Sequence, residues 1–130
     1  MSRLPEAHHF IGAGPISAEL SSAASHPEAL SPQIAAMIGE CGLTVVSESS
    51  AAFPGGGATL VWILAESHLV LHLWTAEGFA TVDLHVCDFR ASNEAPARRL
   101  KQRLSELCFA GGEASWSEVS APHPTSARTA

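Results

Sequence analysis

The stretch His68–Cys87, HLVLHLWTAEGFATVDLHVC, decides the fold, because two alternating runs flank a polar, glycine-containing turn at Thr75–Gly78. Successive residues of a β-strand point to opposite faces, so each run has one aliphatic face and one face of histidine, aspartate, threonine and cysteine side chains. The pattern predicts a β-hairpin closed by the turn. In this register the facing pairs are Trp74 and Phe79, His72 and Thr81, and His68 and His85.

The open end of the predicted hairpin brings two reactive residue types together. Ser67 directly precedes the first strand, and Cys87 is the last residue of the second. The register therefore predicts that these two residues are near neighbours, although they are far apart in the sequence.

The rest of the chain supplies further elements around the hairpin. Apolar residues at helical spacing predict one helix from an N-cap at Ser31, with Pro32 at its first position, to Gly42, and a second helix over Glu94–Cys108. Strands are predicted at His8–Ile11 (closed by Gly12–Pro15), Leu43–Ser47, Ala58–Ala65 and Glu113–Val119. This order predicts an α+β fold, a two-layer sandwich in which an antiparallel sheet carries two main helices on one face.

Composition limits the classes of protein that fit. A chain of 130 residues predicts a single domain, residues 1–116, followed by a flexible tail at 117–130 that is rich in Ser, Ala, Pro and Thr. The net charge of −6 opposes binding to nucleic acid, and the longest apolar run is too short to cross a bilayer. Three cysteines without zinc-ligand spacing predict reduced thiols. We therefore expect a cytoplasmic protein with neither a nucleic-acid nor a membrane partner.

The residues with the clearest chemical potential surround the start of the hairpin: Glu66, Ser67, His68, His72 and Cys87. A zinc site is one alternative, but residues four apart on a strand are roughly 13 Å from each other, so only His68, His85 and Cys87 remain as ligands. A thiol nucleophile activated by histidine is another alternative, although no third orienting residue is evident. No metal is expected.

The stretch Leu60–Phe89, LVWILAESHLVLHLWTAEGFATVDLHVCDF, closely resembles the bacterial S-adenosylmethionine decarboxylase proenzyme family, which is pyruvoyl-dependent. In that family an acidic residue, a serine and a histidine precede a strand that ends in histidine, and a cysteine follows twenty residues after the serine. The resemblance extends more loosely from His8 to Val119. It implies the same fold and the same self-processing chemistry.

Residue by residue, the resemblance implies that the precursor is cleaved between Glu66 and Ser67, and that Ser67 becomes the pyruvoyl cofactor. His72 matches the histidine that serves as base in processing, and Thr59 and His68 are the residues that support it. Cys87 matches the residue that reprotonates the product carbon. The resemblance further implies a small amino-acid-type substrate and a homodimer of processed chains with shared active sites.

The match weakens at the substrate site. The family pattern Thr-Trp-Pro-Glu, whose glutamate holds ribose hydroxyls, is replaced by residues 73–76, which end in Ala76. Phe53 matches an aromatic residue that stacks on adenine, and Trp74 and Glu77 are the other candidates for substrate binding. A one-residue shift on a strand would point Glu77 to the other face. We expect S-adenosylmethionine as the substrate, with L-ornithine or L-arginine as alternatives.

A third alternative is a binding or regulatory homologue that does not process itself. Such a protein would be expected to lose Ser67, His72 or Cys87, and all three are present. The remaining histidines, including His8, are expected to be exposed or to cap helices.

Overall fold

The computed structural model describes residues 6–88 and 91–122. Its strands are β1 (Glu6–Pro15), β2 (Val45–Ala52), β3 (Ala58–Leu64), β4 (Ser67–Trp74), β5 (Phe79–Cys87) and β6 (Ser115–Pro122). Its helices are α1 (Ala18–Ala23), α2 (Pro27–Glu40) and α3 (Glu94–Cys108), and a short 3₁₀ turn spans Ala110–Gly112.

The six strands form one antiparallel sheet in the order β2-β3-β4-β5-β1-β6. The helices pack on one face of it, and the other face is open. The predicted α+β sandwich is therefore confirmed. Of the helices formed by residues 6–88 and 91–122, none is long and apolar enough to cross a bilayer.

The β4–β5 hairpin has the predicted register, with all three predicted facing pairs in place. Its aliphatic face is buried: Leu69, Leu71 and Leu73 are at most 1% exposed. Alternation with one face against a core sets register strongly, because a one-residue slip would turn every leucine towards solvent. This strand pair carries the candidate site described below.

Helix α3 has the predicted bounds, but α2 begins earlier than predicted. Pro27 is at the first helical position, and Pro32 lies inside the helix. Ser31 is therefore not an N-cap; its hydroxyl donates to Glu48 Oε1 at 3.0 Å, and its carbonyl accepts from Trp62 Nε1 at 3.2 Å. Ser31, the predicted start of the helix, instead links α2 to strands β2 and β3.

Strand β1 is longer than predicted, because its glycines do not end it. A Cβ atom at Gly12 would lie 2.8 Å from the Trp116 ring, and one at Gly14 would lie 2.6 Å from the Glu113 carbonyl oxygen. These glycines allow the Trp116 side chain on β6 and the Glu113 backbone just before β6 to pack closely against β1. The turn expected at Gly12–Pro15 was wrong for this reason.

Two edge strands also depart from their predicted bounds. Strand β2 runs over Val45–Ala52 rather than Leu43–Ser47, with a register shift between Val45 and Ser47 and mostly exposed polar side chains that carry no alternation signal. Strand β6 continues to Pro122, so residues 117–122, expected to begin a flexible tail, pair with β1 in the sheet. The rest of the predicted tail, residues 123–130, lies outside the described residues.

Helix α1 was not predicted, although Ser17 is the kind of N-cap residue that often precedes a helix. Ser17 Oγ accepts from the Leu20 N–H at 3.2 Å, and the same hydroxyl donates to the Leu107 carbonyl at 2.6 Å. The helix has only six residues, too few for a clear apolar period.

Candidate active site

A tight turn joins β3 to β4 and holds Glu66 in the left-handed region, with φ of 55°. No other non-glycine residue in the described parts of the chain has a positive φ. This conformation costs an L-amino acid about 1–2 kcal/mol. Backbone strain is therefore concentrated on the residue whose peptide bond leads to Ser67.

Ser67 and Cys87 are neighbours, as predicted. The Cys87 N–H donates to Ser67 Oγ at 3.1 Å. Ser67 is half-buried, whereas Cys87 is 4% exposed. The serine hydroxyl is thus held by the backbone of the adjacent strand rather than by another flexible side chain.

The Cys87 thiol is kept in its neutral form. Burial raises its pKa, and the carboxylates of Glu66 and Asp88 raise it further. A protonated thiol is a proton donor and a poor nucleophile, since the thiolate is the nucleophilic form. The environment of Cys87 therefore favours proton donation over the thiol-nucleophile alternative.

Asp88 organises the backbone next to this pair. Its carboxylate accepts from the Asn93 N–H at 3.1 Å, from His8 Nε2 at 3.1 Å and from the Glu6 N–H at 3.3 Å. Burial opposes ionisation of Asp88, but the hydrogen bonds from Asn93, His8 and Glu6 outweigh it and lower its pKa. His8 is 3% exposed, so its expected exposed or capping role was wrong.

Sequence reasoning missed Asp88, His8 and Asn93. The available signal was weak: an aspartate directly after the reactive cysteine, and an asparagine directly before a predicted helix. The His8–Asp88 contact joins residues 80 positions apart, which no local pattern records, whereas the Asn93 contacts span five and six positions.

The other end of β4 carries a second polar pair. Thr59 Oγ1 and His72 Nδ1 are 3.0 Å apart across β3 and β4, and the His72 ring stacks on Trp74 with centroids 5.4 Å apart and an interplanar angle of 24°. In the tautomer in which Nδ1–H donates to Thr59, the Nε2 atom of His72 is free to accept a proton.

A cavity of about 370 Å³ lies beside this pair. Its lining includes Phe53, Trp74, Ala76 and Glu77, with Thr59 at its edge. Phe53 and Trp74 are 52% and 40% exposed, so their rings are accessible. Glu77 lies in the turn rather than on a strand, so the alternation that was expected to point it away does not apply, and it faces the same cavity.

The two polar groups on β4 are well separated. Ser67 and His72 are five residues apart on one strand, which corresponds to roughly 16 Å at about 3.3 Å per residue. Within a single chain, the His72 imidazole is therefore too distant to take a proton from the Ser67 hydroxyl.

His68 belongs to a third group, on the open face of the sheet. Its Nε2 is 3.5 Å from Asp83 Oδ1, and His9 Nε2 is 2.7 Å from the same oxygen. The His85 ring lies 5.2 Å from both the His9 and the His68 rings. Among the described residues, no three histidine, cysteine or carboxylate side chains are arranged to hold a metal ion, so the zinc alternative gains no support.

A larger cavity, of about 570 Å³, lies between the end of α2 and α3. Its arginines already have partners: Arg98 and Arg103 form ion pairs with glutamates, and Arg99 donates to the Cys41 carbonyl at 2.9 Å. None of the candidate residues lines this cavity, so we place the site on β4 and β5.

Comparison with known proteins identifies the family of the chain. The family model described as S-adenosylmethionine decarboxylase matches residues 17–108. The S-adenosylmethionine decarboxylase proenzyme of Symbiobacterium thermophilum is 40% identical over 65 residues, which cover 50% of this chain and 49% of that protein. The proenzyme of Picrophilus torridus is 38% identical over 68 residues, covering 52% of each.

The fold has a solved relative. The crystal structure of the adenosylmethionine decarboxylase from Aquifex aeolicus superposes with a TM-score of 0.67 at 19% identity, covering 94% of this chain and 92% of that one. The chain spans about half the length of the curated relatives that it matches. Since the family model covers well over half of the sequence, this chain belongs to the S-adenosylmethionine decarboxylase family.

Proposed function

We propose that this chain is the precursor of a self-processing, pyruvoyl-dependent S-adenosylmethionine decarboxylase that cleaves itself between Glu66 and Ser67. One observation carries the proposal: the Ser67 hydroxyl is held by the Cys87 N–H directly after a strained residue in a tight turn. A held nucleophile next to a strained peptide is the arrangement that an internal acyl shift requires.

The proposed cleavage balances without an external oxidant. Ser67 Oγ bonds to the carbonyl carbon of Glu66, the peptide C–N bond breaks, and the Ser67 nitrogen takes up the proton that the hydroxyl loses, which leaves a free amine. Removal of the Ser67 α-proton then breaks the Cβ–Oγ bond, and Glu66 leaves as a carboxylate. Water hydrolyses the resulting dehydroalanine, which releases ammonia and leaves a pyruvoyl group at the new chain start.

The surroundings of Ser67 fit this group. The position is half-buried, it already receives a backbone N–H that suits a carbonyl oxygen, and the neighbouring thiol carries a proton. At this position the pyruvoyl group would supply a ketone for condensation with a substrate amine and an acceptor for the electron pair that decarboxylation leaves. Cys87 then supplies the proton that the substrate carbon takes up.

We further propose that two copies of the chain share their active sites. The estimate of roughly 16 Å between Ser67 and His72 supports this, because His72 acts as the base only if it comes from a second copy. The open face of the sheet has the exposed apolar residues that such an interface needs: Ile11, Ile63 and Val119 are 45%, 51% and 61% exposed.

S-adenosylmethionine is the substrate that the cavity supports best. The accessible rings of Phe53 and Trp74 suit a purine. In this proposal Glu77, which lines the same cavity, accepts hydrogen bonds from ribose hydroxyls in place of the family glutamate. The alanine at position 76 is the observation that keeps L-ornithine and L-arginine as second candidates, since neither has a ribose to hold.

The intact mass of the purified protein under denaturing conditions tests self-cleavage. We expect two chains, one ending at Glu66 and one beginning with a pyruvoyl group. Carbon dioxide release from S-adenosylmethionine, L-ornithine and L-arginine then decides the substrate. A single uncleaved chain would contradict the proposal and favour a binding or regulatory homologue.

Complementation tests the shared site. Neither Ser67→Ala nor His72→Ala should cleave alone, because one lacks the nucleophile and the other the base. Co-expressed, they form mixed dimers in which the Ser67 of one chain meets the His72 of the other, and the His72→Ala chain is cleaved. No cleavage in the mixture, with mixed dimers confirmed by native mass spectrometry, would contradict sharing.

A further inference from the structure

The buried residue His8 contacts the candidate site through Asp88. Its Nε2 atom is 3.1 Å from Asp88 Oδ1, and its Nδ1 atom is 3.4 Å from Ser120 Oγ. An ionised carboxylate only accepts hydrogen bonds, so Nε2 carries the proton and donates it to Asp88. His8 thus holds one carboxylate oxygen of Asp88 from the buried face of the sheet.

Hydrogen bonds also hold the peptide between Cys87 and Asp88. The Asp88 N–H donates to the Glu6 carbonyl at 2.9 Å, and the Asn93 side-chain amide donates to the Cys87 carbonyl at 2.9 Å. The Asn93 side chain therefore does not cap α3, although Asn93 is the N-cap residue. Strand β1 and the start of α3 both anchor the end of β5, next to the N–H that reaches Ser67.

We propose that the His8–Asp88 pair is a positioning device for self-cleavage, holding the end of β5 so that the Cys87 N–H keeps Ser67 Oγ against the Glu66 carbonyl. This inference rests on the self-cleavage proposed above. Neither His8 nor Asp88 contacts the reacting atoms; both act through the Cys87 backbone. Small displacements of a held nucleophile reduce rates strongly, by up to about 100-fold for 1 Å.

The pair is distinguishable from ordinary core packing. Leucine fills the space of the His8 ring but has no N–H to donate, whereas the Glu6 and Asn93 N–H groups still bind the Asp88 carboxylate. His8→Leu therefore removes one contact that positions Asp88 without leaving a cavity. Glutamine is the opposite case, because its amide nitrogen can donate to Asp88. His8→Leu and His8→Gln therefore separate the two roles.

The test follows cleavage of full-length precursor made by in vitro translation, using intact mass against time. We expect His8→Gln to cleave within about threefold of the wild-type rate and His8→Leu to be slower by at least about 10-fold. Asp88→Ala, which removes all three accepted hydrogen bonds, should be at least as slow as His8→Leu. His26→Gln is the matched control, because it disrupts a histidine–carboxylate pair that is exposed and remote, with His26 Nδ1 3.6 Å from Glu28 Oε1.

Hydroxylamine gives a readout that packing alone would not change. It attacks the ester formed when Ser67 has captured the Glu66 carbonyl, and it releases a Glu66 hydroxamate. If the pair positions Ser67, His8→Leu yields less hydroxamate than the wild type, since less ester forms. Wild-type hydroxamate from His8→Leu would overturn the inference.

The outcomes separate this inference from the proposed function. A wild-type chain that never cleaves contradicts the proposed function itself. A cleaving wild type, with folded His8→Leu cleaving equally fast, overturns only the positioning role. Equal slowing of His8→Gln and His8→Leu, with equally lowered melting temperatures, would also overturn it, because a structural defect would then explain both.

Discussion

The two ends of strand β4 differ in how they hold their functional side chains. At the Ser67 end a backbone N–H and a buried histidine–carboxylate pair define the geometry. At the His72 end the polar contact is between side chains, and it borders an open cavity with exposed aromatic rings. The contrast suits the proposed reaction, since self-cleavage happens once in a fixed geometry, whereas substrate must enter and leave repeatedly.

The largest effect is expected at the Ser67 end of β4. Ser67→Ala removes the nucleophile and should abolish cleavage, leaving one chain in the intact mass spectrum. The fold should persist, because the loss is one hydrogen bond of about 1 kcal/mol, seen as a small fall in melting temperature. Ser49→Ala, on the exposed strand β2, is the control and should cleave normally. Two chains from Ser67→Ala would refute the mechanism.

The side chain of Cys87 should affect turnover but not cleavage. Cys87→Ala keeps the backbone N–H that holds Ser67, so two chains should still form, whereas carbon dioxide release should fall by about 10²- to 10⁴-fold. Cys41→Ala is the control, since Cys41 is a buried thiol that does not line the site. Loss of cleavage in Cys87→Ala would show that the thiol acts earlier than proposed.

The raised pKa of the Cys87 thiol predicts how turnover depends on pH. The thiol must be protonated to donate, and burial with the Glu66 and Asp88 carboxylates raises its pKa. Activity should therefore persist through pH about 8.5, the ordinary thiol value, and decline only above it. Asp88→Asn removes one of those charges and should move the decline to lower pH. Turnover measured from pH 7 to 10.5 checks both; a decline centred below pH 8 would contradict the assignment.

The sequence predicted the fold best where a local pattern coincides with burial. Strands β4 and β5 alternate strictly, so their register and the Ser67–Cys87 contact followed from counting residues. Strand β1 was misjudged because Gly12 and Gly14 serve close packing rather than a turn. That distinction depends on Trp116 on β6 and on Glu113 just before β6, both distant in the sequence.

At the site, too, contacts between residues distant in the sequence could not be predicted from a local pattern. The candidate residues Glu66, Ser67 and Cys87 are contiguous or lie on neighbouring strands, so their proximity followed from the sequence. The residues that hold Asp88 come from β1 and from the start of α3, and His8 resembled any other surface histidine. Glu77 was misplaced because strand alternation was applied inside a turn.

At the His72 end of β4, beside the cavity, Glu77→Gln should alter substrate binding alone. Glutamine lacks the charge and one of the two acceptor oxygens of Glu77. Losing one hydrogen bond to a charged group costs about 1.5–3 kcal/mol, so we expect KM for S-adenosylmethionine to rise about tenfold or more with unchanged cleavage. Glu28→Gln, an exposed glutamate away from the cavity, should leave KM unchanged. An unchanged KM in Glu77→Gln would remove Glu77 from the site and strengthen the L-ornithine and L-arginine alternatives.

The smallest effect concerns strain at the cleavage turn. Glu66→Gly adopts a positive φ without the cost of about 1–2 kcal/mol, so the strain that cleavage relieves is lost and processing should slow about fivefold. Glu66→Gln keeps the side chain and the strain but removes the charge, and it should cleave at nearly the wild-type rate. If both variants slow equally, the carboxylate rather than the backbone is responsible. If neither variant slows cleavage, the hydrogen bond from the Cys87 N–H positions Ser67 well enough without backbone strain at Glu66. The geometry at the Ser67 end of β4 then accounts for cleavage alone.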